Sequence, residues 1–240
     1  MTVEDRTVLT RPAPGPARTL RYGPDPDQVI DLWPGDGPVV ALVHGGFWRP
    51  DIDRAHLRPM AHALRRAGWS VASIEYRRRP GGPDLAVADV RAALAAVGPS
   101  VVAGHSAGGH LAMCAASGPA ATLAMCAASG PAATLALAPV ADLRLAARLD
   151  LDGGAVTDFL GGPPDDHPGL DPARLPGPPG QVVIVHGTED RRVPLAVSES
   201  YVAAHPGTPL VRVPGAGHFV LIDPESEVWP AVLRELTALL

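Results

Sequence analysis

The chain alternates two kinds of apolar pattern. Short continuous apolar runs, as expected of strands covered on both faces, occur at Pro38–His44, Ser70–Tyr76, Val101–Ala103, Ala133–Val140, Gln181–Val185 and Leu210–Val213. Between them lie stretches with helical spacing: 53–67, where Leu57, Met60, Ala61 and Leu64 share a face and Gly68 is placed to cap the end, then Leu85–Val97, Ser106–Ser117, Leu195–Ala204 and Val228–Leu240. Two further short strands, Arg18–Tyr22 and Gln28–Trp33, flank a Gly-Pro-Asp-Pro-Asp turn and read as a hairpin-like start. Strands and helices in this rhythm predict a mostly parallel sheet with right-handed crossovers, and 240 residues at 46% hydrophobic suffice for one α/β domain over 1–240.

Three segments fall outside that rhythm. Residues 1–17, Pro-rich and aperiodic, predict a loose N-terminal arm. Residues 142–180, dense in Gly and Pro from Gly161 onward, predict a small cap over a site. Within 111–134 the sequence LAMCAASGPAAT is repeated perfectly in tandem, as 111–122 and 123–134. A single copy is too little for a solenoid. The inserted copy predicts a protruding turn or Ala-rich helix around Pro119–Ser129, away from the chemistry, at a closure cost of roughly 1.2 kcal/mol for two doublings of loop length. It also offers two registers for one strand, with 121–126 competing against 133–138.

Charge and cysteine content narrow the classes. The net charge of −5 leaves no basic footprint for nucleic acid, and Arg77-Arg78-Arg79 reads as a solvated loop. Every basic residue is Arg, and neither Lys nor Asn occurs. The opening residues lack the apolar core of a signal peptide, so a cytoplasmic location is expected. Cys114 and Cys126 are one cysteine copied twice, which is no disulfide framework. The uncharged run Leu111–Ala141 is Ala, Gly, Ser, Thr and Pro-rich and broken twice by Gly-Pro, so no membrane span is expected.

The chemistry centres on Gly104-His105-Ser106-Ala107-Gly108, a G-x-S-x-G sequence between a buried strand and a small-residue helix. A strand turning at once into a helix strains its central residue, and the glycines leave room for the turn. Ser106 is expected exposed on that turn, facing substrate, with the first helical amides aimed at the same spot. A serine hydroxyl needs a base, and the base an oriented partner. Asp190 follows the Gln181–Val185 strand and His218 sits in a glycine-rich loop after the last strand, so the order Ser106, Asp190, His218 suits a sheet of this kind. Asp190 has an alternative use, capping the helix near Val193, and Glu189 is the substitute acid if the turn is one residue shorter. The run His44-Gly45-Gly46-Phe47-Trp48 ends the central strand and is suited to an oxyanion hole: Gly46 and Ala107 N–H as first choice, Gly45 or Phe47 as further donors. Trp48 and Phe219 are candidates to touch substrate, with Phe47 and Phe159 beside them. His110 reads as a packing residue; His56, His62, His167 and His205 read as exposed. No histidine pair has a zinc spacing, so no metal is expected, and hydrolysis through a serine implies no cofactor.

Taken together, His44-Gly45-Gly46-Phe47-Trp48, Gly104 to His110, His186-Gly187-x-x-Asp190 and Gly217-His218-Phe219 resemble the α/β-hydrolase superfamily over roughly Arg18–Leu240. Within it they are most similar to the kynurenine formamidase (arylformamidase) and small carboxylesterase group, whose pattern is H-G-G-x-W. The resemblance implies an α/β-hydrolase fold and a serine hydrolase acting on a small ester or formamide, with N-formylkynurenine as the narrower substrate. A non-catalytic binding scaffold is the remote alternative, because fold alone does not fix function.

Overall fold

The computed structural model describes residues 4–117 and 133–240. Eight strands form one sheet in the order β1-β2-β4-β3-β5-β6-β7-β8. They are β1 (Arg18–Arg21), β2 (Val29–Trp33), β3 (Val39–Val43), β4 (Ser70–Ile74), β5 (Val101–His105), β6 (Ala133–Leu137), β7 (Gln181–Gly187) and β8 (Leu210–Val213). The β1–β2 and β2–β4 pairs are antiparallel, and every pair from β4 to β8 is parallel. The sheet is therefore that of an α/β-hydrolase.

Among the described residues seven α-helices flank it: α1 (Arg58–Arg66), α2 (Pro83–Val97), α3 (Ala107–Ala116), α4 (Leu143–Arg148), α5 (Ala155–Leu160), α6 (Leu195–Ala204) and α7 (Trp229–Thr237). The predicted helix over 53–67 is split. Asp53 accepts a bond from Ala55 N–H and opens a 3-10 turn over Arg54–Leu57, and α1 proper starts at Arg58 with Pro59 in its first turn. Gly68, at φ +100°, follows its end as expected.

The unbroken apolar runs are explained by cover on both faces. In β3, Ala41 and Val43 belong to one apolar cluster with α2, α3 and residues of 143–170, while Val40 and Leu42 belong to the other with α1 and α7. The region expected to cap the site thus packs largely into the first cluster, through Leu143, Ala146, Val156 and Phe159, and it lends Asp152 to the cleft that holds Ser106.

Two expectations are corrected. Residues 4–17 are not loose: Val8 is buried at 2% exposure beside Leu221 and Ile222, and Ala17 N–H bonds Leu32 O. Nor is Arg77-Arg78-Arg79 a solvated run. Arg77 is bonded to Asp89, Arg78 is buried against Glu75, and only Arg79 is exposed, paired with Asp25. Each guanidinium finds a carboxylate brought from elsewhere in the fold, which a run of like charges does not disclose.

The register competition has one resolved side: β6 is built from Ala133–Leu137, two residues of the second copy continuing into the unique sequence. The turn expected at Pro119–Ser129, and Cys126 with it, lie outside the described residues. Among the described residues no helix is long and apolar enough to cross a membrane.

Candidate active site

At the end of β5 the chain reverses into α3 within one residue. Ser106 has φ +57° and ψ −122°, a conformation that costs a non-glycine residue about 1–3 kcal/mol. Its neighbours hold it there: Ser106 N–H bonds Leu137 O at 2.9 Å, and Ser106 O accepts from Val140 N at 3.2 Å and His110 N at 3.1 Å. The motif's outer glycines are required by close packing. A Cβ on Gly104 would lie 2.3 Å from Gly108 O, and one on Gly108 would lie 2.1 Å from Val43 O. Ser106 is not exposed, contrary to expectation: it is 2% accessible and sits at the floor of a cleft.

The turn after β3 lies against the elbow. Gly45 leaves only 2.9 Å between a would-be Cβ and the Ser106 Cβ. Gly46, Phe47 and Trp48 follow with φ of +114°, +49° and +56°. Among the described residues neither Gly46 N–H nor Phe47 N–H has an acceptor, and Ala107 N–H, first in α3, has no preceding turn to bond. Free amides next to the positive end of α3 suit a developing oxyanion.

This turn is braced from behind by a buried network that the sequence does not disclose. The His44 ring bonds Glu75 at 2.8 Å, and Tyr76 O–H donates to His44 O at 2.9 Å. Glu75 also accepts from Arg54 N–H and from the Arg78 guanidinium. Burial opposes its charge, but His44 and Arg78 outweigh burial and hold it down to about 2. One signal existed in the sequence: a carboxylate directly after an apolar strand, at the carboxyl edge of the sheet, where sites in such folds collect.

Across the cleft, His218 Nδ1 lies 2.6 Å from Asp190 Oδ2. The other oxygen of Asp190 accepts from Arg192 and Val193 N–H, each at 2.8 Å, so one carboxylate both caps a turn and meets the histidine. Burial works against its charge, yet hydrogen bonds from His186 and His218 keep it well below the ordinary carboxylate range. Glu189 is exposed and takes no part. His105, the variable residue of the elbow, lies 4.4 Å ring to ring from His218 at a tilt of 46° and donates from Nε2 to His218 O at 3.2 Å. Burial and the neighbouring His218 hold His105 well below its ordinary value, so it is uncharged at neutral pH.

Ser106, His105, His218, Gly46, Phe47 and Phe219 line one cleft of about 900 Å³. Trp48 is not among its lining residues. It is buried at 4% exposure, stacked on Phe159 at 4.4 Å and edge-on to His110, so Trp48 and Phe159 are core where contact with substrate was considered. His110 packs as expected, bonding Leu170 O at 2.8 Å. His56, His62, His167 and His205 are half-buried rather than exposed. His56 lines the cleft, and burial beside His44 pushes it down to about 4.

The model of the alpha/beta hydrolase family matches residues 40–231. Among curated relatives, "Probable carboxylic ester hydrolase LipM" of Mycobacterium tuberculosis is 32% identical over 46% of this chain and 33% of its own length. The chain thus spans about a third of that relative. Among solved structures, Esterase B from Lactobacillus rhamnosis superposes with a TM-score of 0.71 at 22% identity, over 95% of this chain and 88% of that one. The acetyl ester-xyloside bifunctional hydrolase from Caldicellulosiruptor lactoaceticus gives 0.74 at 19% identity, over 93% and 96%. With the sheet order, the elbow at Ser106 and a family match over most of its length, the chain belongs to the alpha/beta hydrolase family.

Proposed function

We propose that the protein is a serine hydrolase that cleaves a small carboxylic ester through an acyl-enzyme. The observation that carries this reading is the 2.6 Å contact of His218 Nδ1 with Asp190, on a histidine that shares its cleft with the strained Ser106. Ser106 Oγ attacks the ester carbonyl as its proton passes to His218 Nε2. Asp190 holds the Nδ1–H tautomer and offsets the imidazolium charge. The oxyanion is met by the N–H groups of Gly46, Phe47 and Ala107. The tetrahedral intermediate then expels the alcohol, which takes the proton from Nε2. Water repeats the sequence on the acyl-enzyme, releasing the acid and restoring Ser106. The names of LipM and Esterase B point the same way.

A second reading, hydrolysis of the aryl formamide N-formylkynurenine, is favoured by the His44-Gly45-Gly46-Phe47-Trp48 pattern and by two aromatic residues, Phe47 and Phe219, in the cleft lining. The chemistry is the same, with an amine as leaving group.

Turnover of p-nitrophenyl acetate and of N-formylkynurenine, by wild type and Ser106→Ala, tests both. Serine-dependent ester turnover is expected. A preference for the formamide would select the second reading, and equal turnover by Ser106→Ala would remove the nucleophile from the scheme.

A further inference from the structure

The segment 4–13 is held mainly on 218–225, with its Thr7–Leu9 turn also close to Arg54–Leu57. Glu4 Oε1 accepts from His218 N–H at 2.8 Å. The Arg6 guanidinium lies over the Phe219 ring, 5.6 Å from its centre. Val8 is buried against Leu221 and Ile222. Arg11 grips Asp223 with both terminal nitrogens, one of them 3.0 Å from Oδ2. A segment that, among the described residues, has no strand pairing before Ala17 is thereby fastened to the loop that carries the histidine.

The same residues face the cleft. Arg6, Leu9, Thr10, Arg11, Pro12 and Ala13 line it together with Ser106, His218, Phe47, Ile52 and His56. The arm and the 46–58 segment thus both border the cleft and lie close together at Thr7–Leu9 and Arg54–Leu57. The arm is attached by side-chain contacts rather than by a sheet ladder, with the Arg11 pairs to Asp223 and Glu225 among them.

We infer that the arm is a specificity-determining wall of the active cleft, fixed by Arg11–Asp223 and Glu4–His218, which limits the length of the acyl chain accepted beside Ser106. This rests on the ester-hydrolase reading. Leu9 and Pro12 are apolar members of the lining, and on this inference a long acyl chain meets them where a short one does not. Freeing the arm opens the cleft at that side, and added bulk at Leu9 closes it further.

The test is the ratio of kcat/KM for p-nitrophenyl octanoate to that for p-nitrophenyl acetate. Hydrogen exchange of the segment reports whether the arm is docked, and thermal melting reports folding. Arg11→Ala is expected to speed exchange in the arm and raise the ratio about fivefold or more, with Arg11→Lys returning it toward wild type. Leu9→Trp, which does not depend on undocking, is expected to lower the ratio by about fivefold. Ratios unchanged in both folded variants, or shifted in the opposite senses, overturn the wall while leaving the hydrolase reading standing. Should Arg11→Ala fail to fold, Leu9→Trp decides alone. Failure of wild type to hydrolyse either ester would instead remove the ester-hydrolase reading, and the wall with it.

Discussion

After β3 and β5 the cleft is shaped by local backbone, whereas after β7 and β8 it is shaped by side chains that meet across the fold. Gly46, Phe47 and Ser106 hold positive φ values beside glycines that let the two turns' backbones close on each other, Gly45 on Ser106 and Gly108 on Val43. His218 is held by Asp190, His105 and Glu4, which come from a different strand end, from the elbow and from the arm. The first half is set by backbone packed too closely to admit a Cβ at Gly45, Gly104 or Gly108. The second half is correct only while several distant groups stay docked.

Removing the nucleophile is the largest way to break the site. Ser106→Ala is expected to lower turnover by a factor on the order of 10⁶, with a melting temperature near wild type. Steady-state kinetics beside a thermal melt checks both. Next comes the side-chain half: Asp190→Asn is expected to reduce kcat by about 10⁴ with KM little changed, because an amide stabilises the wrong histidine tautomer. An effect confined to KM would place Asp190 outside the chemistry.

The brace behind the oxyanion turn adds an acid linkage of its own. Glu75 ionises lower in the folded chain than its ordinary 4.5, at about 2. A depressed carboxylate contributes stability that is complete above the unfolded value and is lost as pH falls from about 4.5 through about 2, on the order of 3 kcal/mol. Glu75→Gln should therefore be less stable at pH 7 and lose less on acidification than wild type, as read by urea midpoints from pH 6 to pH 2.5. Superimposable acid limbs for the two proteins would show that Glu75 carries no such linkage. Smallest in magnitude, Gly108→Ala forces a methyl to within 2.1 Å of Val43 O and should cost about 1–3 kcal/mol of stability along with activity. The equivalent change at Gly169, which has open space around it, should do neither.

The two copies in 111–134 mark the point at which pattern stops discriminating. Ala-Thr-Leu-Ala occurs at 121–124 and again at 133–136, so apolar patterning cannot choose between two strands of nearly the same composition. The residues after the two candidate strands differ. After β6, Ala138 adopts φ +44°, Pro139 packs over Gly109, and Val140 N–H bonds Ser106 O, contacts that need the Ala-Pro-Val sequence beside the elbow. The register is set by a fit to α3 that lies outside the repeat.

Strand and helix positions followed from the chain's own period, since a strand buried on both faces must be apolar throughout and a helix covering it must be apolar on one side. The elbow was legible for a similar local reason: only a glycine-flanked residue can make that turn. Asp190 and His218 were legible by their place after strands, because strand ends converge on one edge of a parallel sheet. The sequence did not disclose that Trp48 turns into the core onto Phe159, that Glu75 braces His44, or that the arm docks on 218–223. Glu4 meets His218 across almost the whole length of the chain, and Trp48 is aimed by a backbone of positive φ that aromatic residues seldom adopt. Such contacts depend on where the tertiary structure leaves space and unpaired charge, and no local pattern carries that information.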